Sequence, residues 1–242
     1  MEMKIVGFWG AYPEKNEATS CYLLKHDDYS LIIDLGSGAL SRLQNYISLD
    51  EIDGVVLSHF HHDHIADVGS LQYASLVQKQ LGKRTRKLPI YAHQDDKQAF
   101  QTLNHQATVG TAYYNGQSIG PFTFNFLKTK HPKPCYAMRI ECEFKSIIYT
   151  ADTAYFKELE DFSRGADLLI AETSFYKGMN GQKAGHMTSE EVGKLAHAAG
   201  VKELWLTHLP HFGDLNQLYL EAAEQFSGTI KLAQEGLTWR NN

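Results

Sequence analysis

The stretch "LSHFHHDHIAD", residues 57–67, puts four histidines and two aspartates into eleven positions. It leaves "DGVV", an apolar run that reads as a short buried strand. In an extended segment His59 and His61, two apart, point the same way. Asp63 and His64 then start the next helix, and His62 faces away. One short piece of chain thus offers three imidazoles and a carboxylate to two adjacent points in space. Nitrogen and carboxylate ligands without cysteine suit zinc, manganese or iron, and open positions mark a catalytic site. Histidines on a wet loop behind an Asp63 helix cap are the bland alternative, which suits a lone His-x-His better than this whole string.

Outward from the cluster, strands come first and are followed by alternating strands and helices, twice over. "KIVGFWG", "SCYLLKH" and "YSLIIDLG" are strand-like runs separated by turn formers. "SGALSRLQNYI" has helical spacing, and a long helix is expected from Ile65 to Leu81. In the second pass "FTFNFLKTKH" and "CYAMRIECEF" pair as strands, and "SIIYTAD", "DLLIAETSF" and "ELWLTHLP" are further strands. "TSEEVGKLAHAAG" and "LNQLYLEAAEQF" are helices. Sheets packed face to face with helices outside satisfy that order. Three of these strands run out into ligand-type residues: "LKTKHP" into His131, "IIYTAD" into Asp152 and "LWLTHLP" into His208. Singly each suits a cap or turn. Together they extend the set to five histidines and two aspartates.

Composition narrows the classes. A length of 242 residues suits one large domain or a fused pair of similar halves. The formal charge of −5 gives no global attraction to nucleic acid or anionic membrane, so RNA contact would need a local patch. Cys21, Cys135 and Cys142 are odd in number and lack CxxC spacing, which points to idle thiols in a reducing cytoplasm. The opening "MEMKIVGFWGAYPE" turns polar early and no apolar run approaches a membrane span. A cytoplasmic protein with no membrane partner is expected.

The chain resembles the metallo-β-lactamase superfamily. The signature HxHxDH stands intact as His59, His61, Asp63 and His64, and the later ligands match His131, Asp152 and His208 in order. The likeness covers essentially the whole chain. It implies an α+β/α/β fold, the four-layer αβ/βα sandwich, formed by residues 1–242 as one domain of two similar halves. It also implies two divalent metal ions at one edge. One would be held by His59, His61 and His131, the other by Asp63, His64 and His208, with Asp152 bridging. Zinc is the default ion for such ligands and manganese the other candidate. Asp34 in "LIIDLGSG" matches a position that orients the ligand loop without binding metal. A plain turn residue before Gly36 is its other reading.

Within the superfamily the chain looks similar to the short-form RNase Z-like hydrolases. Asp152 stands where true β-lactamases usually carry cysteine, so antibiotic hydrolysis is not expected. "LLIAETSF" resembles the HEAT motif of tRNase Z, with Glu172 at the glutamate and Ala171 replacing histidine. "GHMTSEE" resembles its HST motif, with His186 at the histidine and Met187 replacing serine. In that family the glutamate orients the histidine, which protonates the leaving oxygen. The resemblance therefore nominates Asp63, Glu172 and His186 as catalytic. The competing reading makes Glu172 a solvated strand-end charge and His186 a loop residue before a helix. No insertion matches the arm with which tRNase Z clasps tRNA.

"KQLGKRTRK", residues 79–87, holds five basic residues, and Lys128, Lys130 and Lys133 flank His131. The lysines beside His131 are placed to meet a phosphate, whereas basic runs are usually solvated loops. The expected activity is metal-dependent hydrolysis of a small phosphodiester, cyclic nucleotide or RNA end by a metal-bridging hydroxide. Lactone or carboxylic-ester hydrolysis on the same metals is the alternative. A non-catalytic metal-binding or interaction protein is the alternative of another class. The family resemblance also suggests a homodimer.

Overall fold

Two runs of strands, each passing from antiparallel to parallel, organise the chain. The structure is a computed structural model that describes residues Met1–Arg240. The chain divides into one unit of residues 1–113, rejoined from residue 234 onward, and a second of residues 114–233.

In the first unit β1 (Glu2–Gly7), β2 (Cys21–His26) and β3 (Tyr29–Ile33) form an antiparallel meander. β4 (Gly54–Val56), β5 (Leu88–Ala92) and β6 (Thr108–Ala112) then add in parallel beside β3. Parallel neighbours need crossover connections, and this unit's helices are α1 (Ala39–Leu43), α2 (His62–Ile65), α3 (Val68–Gln80) and α4 (Lys97–Thr102). In the second unit β7 (Gln117–Ile119), β8 (Phe122–Lys128), β9 (Tyr136–Cys142) and β10 (Lys145–Tyr149) make the meander. β11 (Leu168–Glu172), β12 (Glu203–Thr207) and β13 (Thr229–Leu232) continue it in parallel. Its helices are α5 (Lys157–Ser163), α6 (Ser189–Ala199) and α7 (Leu215–Ala223). The last strand, β14 (Thr238–Arg240), returns to the outer side of β1.

Burial explains the two kinds of strand sequence. β11 is buried along its whole length, and β10 and β12 at all but their first residues, so "LLIAE", "KSIIY" and "ELWLT" read as nearly unbroken apolar runs. β8 instead alternates, with Phe122, Phe124 and Phe126 buried and Thr123 and Asn125 half-buried. A one-residue slip of β8 would exchange those faces.

Helix α6 matches its sequence reading. Thr188 Oγ1 accepts from the Glu191 backbone N–H at 3.3 Å, and the Glu191 carboxylate accepts from the Thr188 N–H at 2.9 Å. Gly200 closes the helix in the left-handed region.

Two expectations are corrected. The single helix from Ile65 to Leu81 is broken, because Asp67 leaves the helical conformation and caps α3. Its carboxylate accepts from the Leu40 N–H at 2.9 Å, which ties the break to α1. The basic stretch is also not simply the solvated loop that its composition suggests. The Arg84 guanidinium donates to the carbonyls of Leu49, Asp50 and Ile52, and Lys87 Nζ donates to that of His105. Both are structural staples. No helix of the described residues is long and apolar enough to cross a membrane.

Candidate active site

Parallel strands share a direction, so their C-terminal ends lie along one edge of a sheet, where loops carry chemistry. In the first unit Asp34 follows β3, and His59 lies three residues beyond β4. In the second, Asp152 follows β10, Glu172 ends β11 and His208 follows β12. β8 runs antiparallel to β9, as does β10, so β8 points with β10 and delivers His131 to the same edge.

The first unit builds its set around Asp34, which is completely buried. Asp34 Oδ1 accepts from the Ser58 N–H at 2.7 Å. Its Oδ2 accepts from the Ser58 hydroxyl and from His64 Nδ1, each at 2.7 Å. Having given its one proton to Asp34, Ser58 Oγ accepts from His59 Nδ1 at 3.0 Å. Both histidines therefore carry their proton on Nδ1 and present Nε2. His59 Nε2 stands 3.1 Å from His61 Nδ1. Two nitrogens on one tetrahedral zinc would be about 3.3 Å apart, so this pair is spaced for a shared ion. Asp63 Oδ2 lies 3.7 Å from His64 Nε2 and accepts from the Ala11 N–H at 2.9 Å. His62 is exposed, as expected of the spare.

The ligand loop sits directly on Gly36. A Cβ there would be 2.0 Å from the Asp63 carbonyl oxygen and 2.1 Å from Thr19 Oγ1. Only glycine allows that approach. Asp34 is thus no simple turn residue, and its replacement should be felt at the metal. Asp34→Asn is expected to weaken metal affinity by about 10–100-fold, the usual cost of losing an orienting partner, as read by chelator competition. Unchanged affinity in a folded variant would remove Asp34 from this role.

The second unit repeats the device with Glu172, which is 1% exposed and so not a solvated charge. Glu172 Oε1 accepts from His186 Nδ1 at 2.9 Å, and from the Thr153 and Met187 N–H groups at 3.1 and 3.2 Å. Its Oε2 accepts from the Ser174 N–H at 3.2 Å and the Ser174 hydroxyl at 2.8 Å. Ser174 Oγ then accepts from His208 Nδ1 at 2.9 Å. Glu172, His186 and His208 hold ligand-type atoms within 4.8 Å of one another. Five donors already occupy the Glu172 carboxylate, however, which makes it an orienting group.

Asp152 spreads its two oxygens between two imidazoles. Oδ2 is 3.9 Å from His131 Nε2, and Oδ1 is 3.4 Å from His208 Nε2. His131 Nδ1 donates to the Gly185 carbonyl at 3.1 Å. Gly185 has φ +79°, and a Cβ on it would lie 2.9 Å from His131 Nδ1. Burial, against the pull of Asp152, holds the His131 imidazole below its ordinary pKa and so in the neutral form that a metal requires. The His186 ring stacks on His208 at 5.4 Å and meets His131 edge-on at 5.2 Å.

These donors fit divalent metal ions. His59, His64, His131 and His208 each spend Nδ1 on a protein acceptor, the arrangement typical of imidazoles that ligate through Nε2. The backbone is also strained here. Among the described residues seven non-glycines have positive φ, and four of them adjoin this chemistry: Ala11, Asp34, Ala151 and His208. Every residue proposed from sequence falls into one of the two sets. The reading missed Ser58, Ser174 and Gly185, because a serine or glycine beside a ligand carries no pattern of its own.

The comparisons agree with this geometry. A beta-lactamase superfamily domain matches residues 31–209. The chain is 48% identical over 242 residues to the "Probable metallo-hydrolase YhfI" of Bacillus subtilis, covering 99% of each protein. The crystal structure of that metallo-β-lactamase fold protein superimposes with a TM-score of 0.95 at 46% identity, over 98% of each chain. A ribonuclease Z of Haloarcula marismortui is 22% identical over 300 residues, covering 99% of this chain and 96% of that protein. The expected fold class is therefore met, and these relatives support the reading of the chain as a hydrolase. The chain belongs to the beta-lactamase superfamily.

Proposed function

We propose that this metallohydrolase is a dinuclear phosphodiesterase acting on a nucleotide, cyclic nucleotide or RNA end. The ligand sets, His59, His61, Asp63 and His64 in the first unit and His131, Asp152 and His208 in the second, would hold two divalent ions, zinc by default. Bound there, the ions supply a nucleophile from water at neutral pH and polarise the phosphoryl oxygens. Asp152 turns one oxygen toward His131 and the other toward His208, and would contribute both to the metal site. Asp34 and Glu172 hold the imidazoles in the tautomer that leaves Nε2 toward metal. His186 keeps Nδ1–H on Glu172 and gives its Nε2 proton to the leaving oxygen. The Glu172 carboxylate, accepting from Nδ1, fixes the ring of that acid.

The observation that carries this reading is the 2.9 Å pair of Glu172 and His186, stacked against His208. A carboxylate-backed acid suits an alkoxide leaving group, as in the cleavage of a ribose phosphodiester. The test is hydrolysis of bis(p-nitrophenyl) phosphate by protein stripped with a chelator and reloaded separately with zinc or manganese. Turnover should vanish on stripping and return with at least one ion. No turnover with either ion would overturn the phosphodiester reading and direct attention to lactones.

A further inference from the structure

Beside His131 in the second unit lies a cavity of about 530 Å³, lined among others by Lys130, His131, Tyr155, Phe156, Gln182 and Lys183. That volume suits a nucleotide-sized group. Its charge is one-sided. Lys130 and Lys183 both line it, no carboxylate does, and neither lysine makes an ion pair among the described residues. In a chain of net charge −5, two unpaired ammonium groups on one cavity call for an anion. Of the acids nearby, Glu160 is already bonded to the Tyr155 hydroxyl and to Lys157, and Asp152 faces His131 Nε2 at 3.9 Å. Lys130 Nζ stands 5.9 Å from the centre of the Phe156 ring, which sets a flat apolar surface next to positive charge. An ammonium beside an aromatic face suits a phosphate joined to a base.

We infer that this cavity is a second substrate subsite, which takes an additional phosphate carried next to the bond being cleaved. Lys130 and Lys183 are its counter-charges, and Phe156 packs against the adjoining base. The inference rests on the phosphodiesterase reading and narrows it. The substrate class is a short oligonucleotide bearing a terminal phosphate, in preference to a cyclic nucleotide with a single phosphate.

The experiment compares kcat/KM of the metal-loaded enzyme for the diadenylates pApA and ApAp, which carry the extra phosphate at one end or the other, and for ApA. The wild type should prefer one phosphorylated form over ApA by about tenfold or more, the scale of one charge-assisted contact. The double variant Lys130→Ala/Lys183→Ala should bring that ratio close to one, mainly through KM, and Lys130→Arg/Lys183→Arg should restore most of it. Equal kcat/KM for the three in the wild type, or a preference that survives the double alanine variant, overturns the subsite. So does turnover of bis(p-nitrophenyl) phosphate without turnover of any diadenylate. Loss of all these activities in the wild type would instead sink the phosphodiesterase reading beneath it.

Discussion

Asp152→Ala is expected to lower kcat/KM for bis(p-nitrophenyl) phosphate by roughly 10³-fold, since paired metal ions supply several kcal/mol of transition-state stabilisation. Asp152 is 2% exposed and offers one oxygen toward His131 and the other toward His208. Its removal should therefore also lower the metal content, measured by elemental analysis of the purified protein. Circular dichroism controls for folding. Were Asp152 only a turn residue after β10, the variant would keep its metal and most of its turnover.

The second large effect concerns His186→Ala, and it depends on the leaving group. Nitrophenolate departs without much help, so the loss on bis(p-nitrophenyl) phosphate should stay within about tenfold. For a dinucleotide, whose leaving group is a ribose hydroxyl, the loss should reach about 10²–10⁴-fold, the range ascribed to general acids. Paired measurements of kcat on both substrates decide the matter. The ring also touches His208, and a purely structural role there would appear as the same loss on both substrates together with altered metal affinity. A uniform loss would assign His186 to positioning and leave the acid unidentified.

Much of the fold was legible because burial on both faces writes unbroken apolar runs, and capped helices carry signatures such as Thr188 with Glu191. The ligand string was legible because histidines cluster so rarely. What escaped lies in short or multi-purpose residues. β5, β6, β7, β13 and β14 escaped, each only three to five residues long and without an unbroken apolar run to mark it. The break at Asp67 escaped because its carboxylate serves α1, a partner distant in sequence. Arg84 read as free charge because its acceptors are backbone carbonyls, which no sequence displays. Ser58 and Ser174 escaped for the same kind of reason: their roles depend on which neighbour takes their single proton.

The left-handed residues at the strand ends bear on how this protein can be made hardier. Asp34, Ala151 and His208 each hold a conformation that costs of order 1–3 kcal/mol for a side-chain-bearing residue. A heat-resistant variant cannot recover that energy by relaxing these turns, because relaxation would swing imidazoles and carboxylates off their marks. Engineering for endurance must look to the outer helices and loops, and leave the taut strand ends as they are.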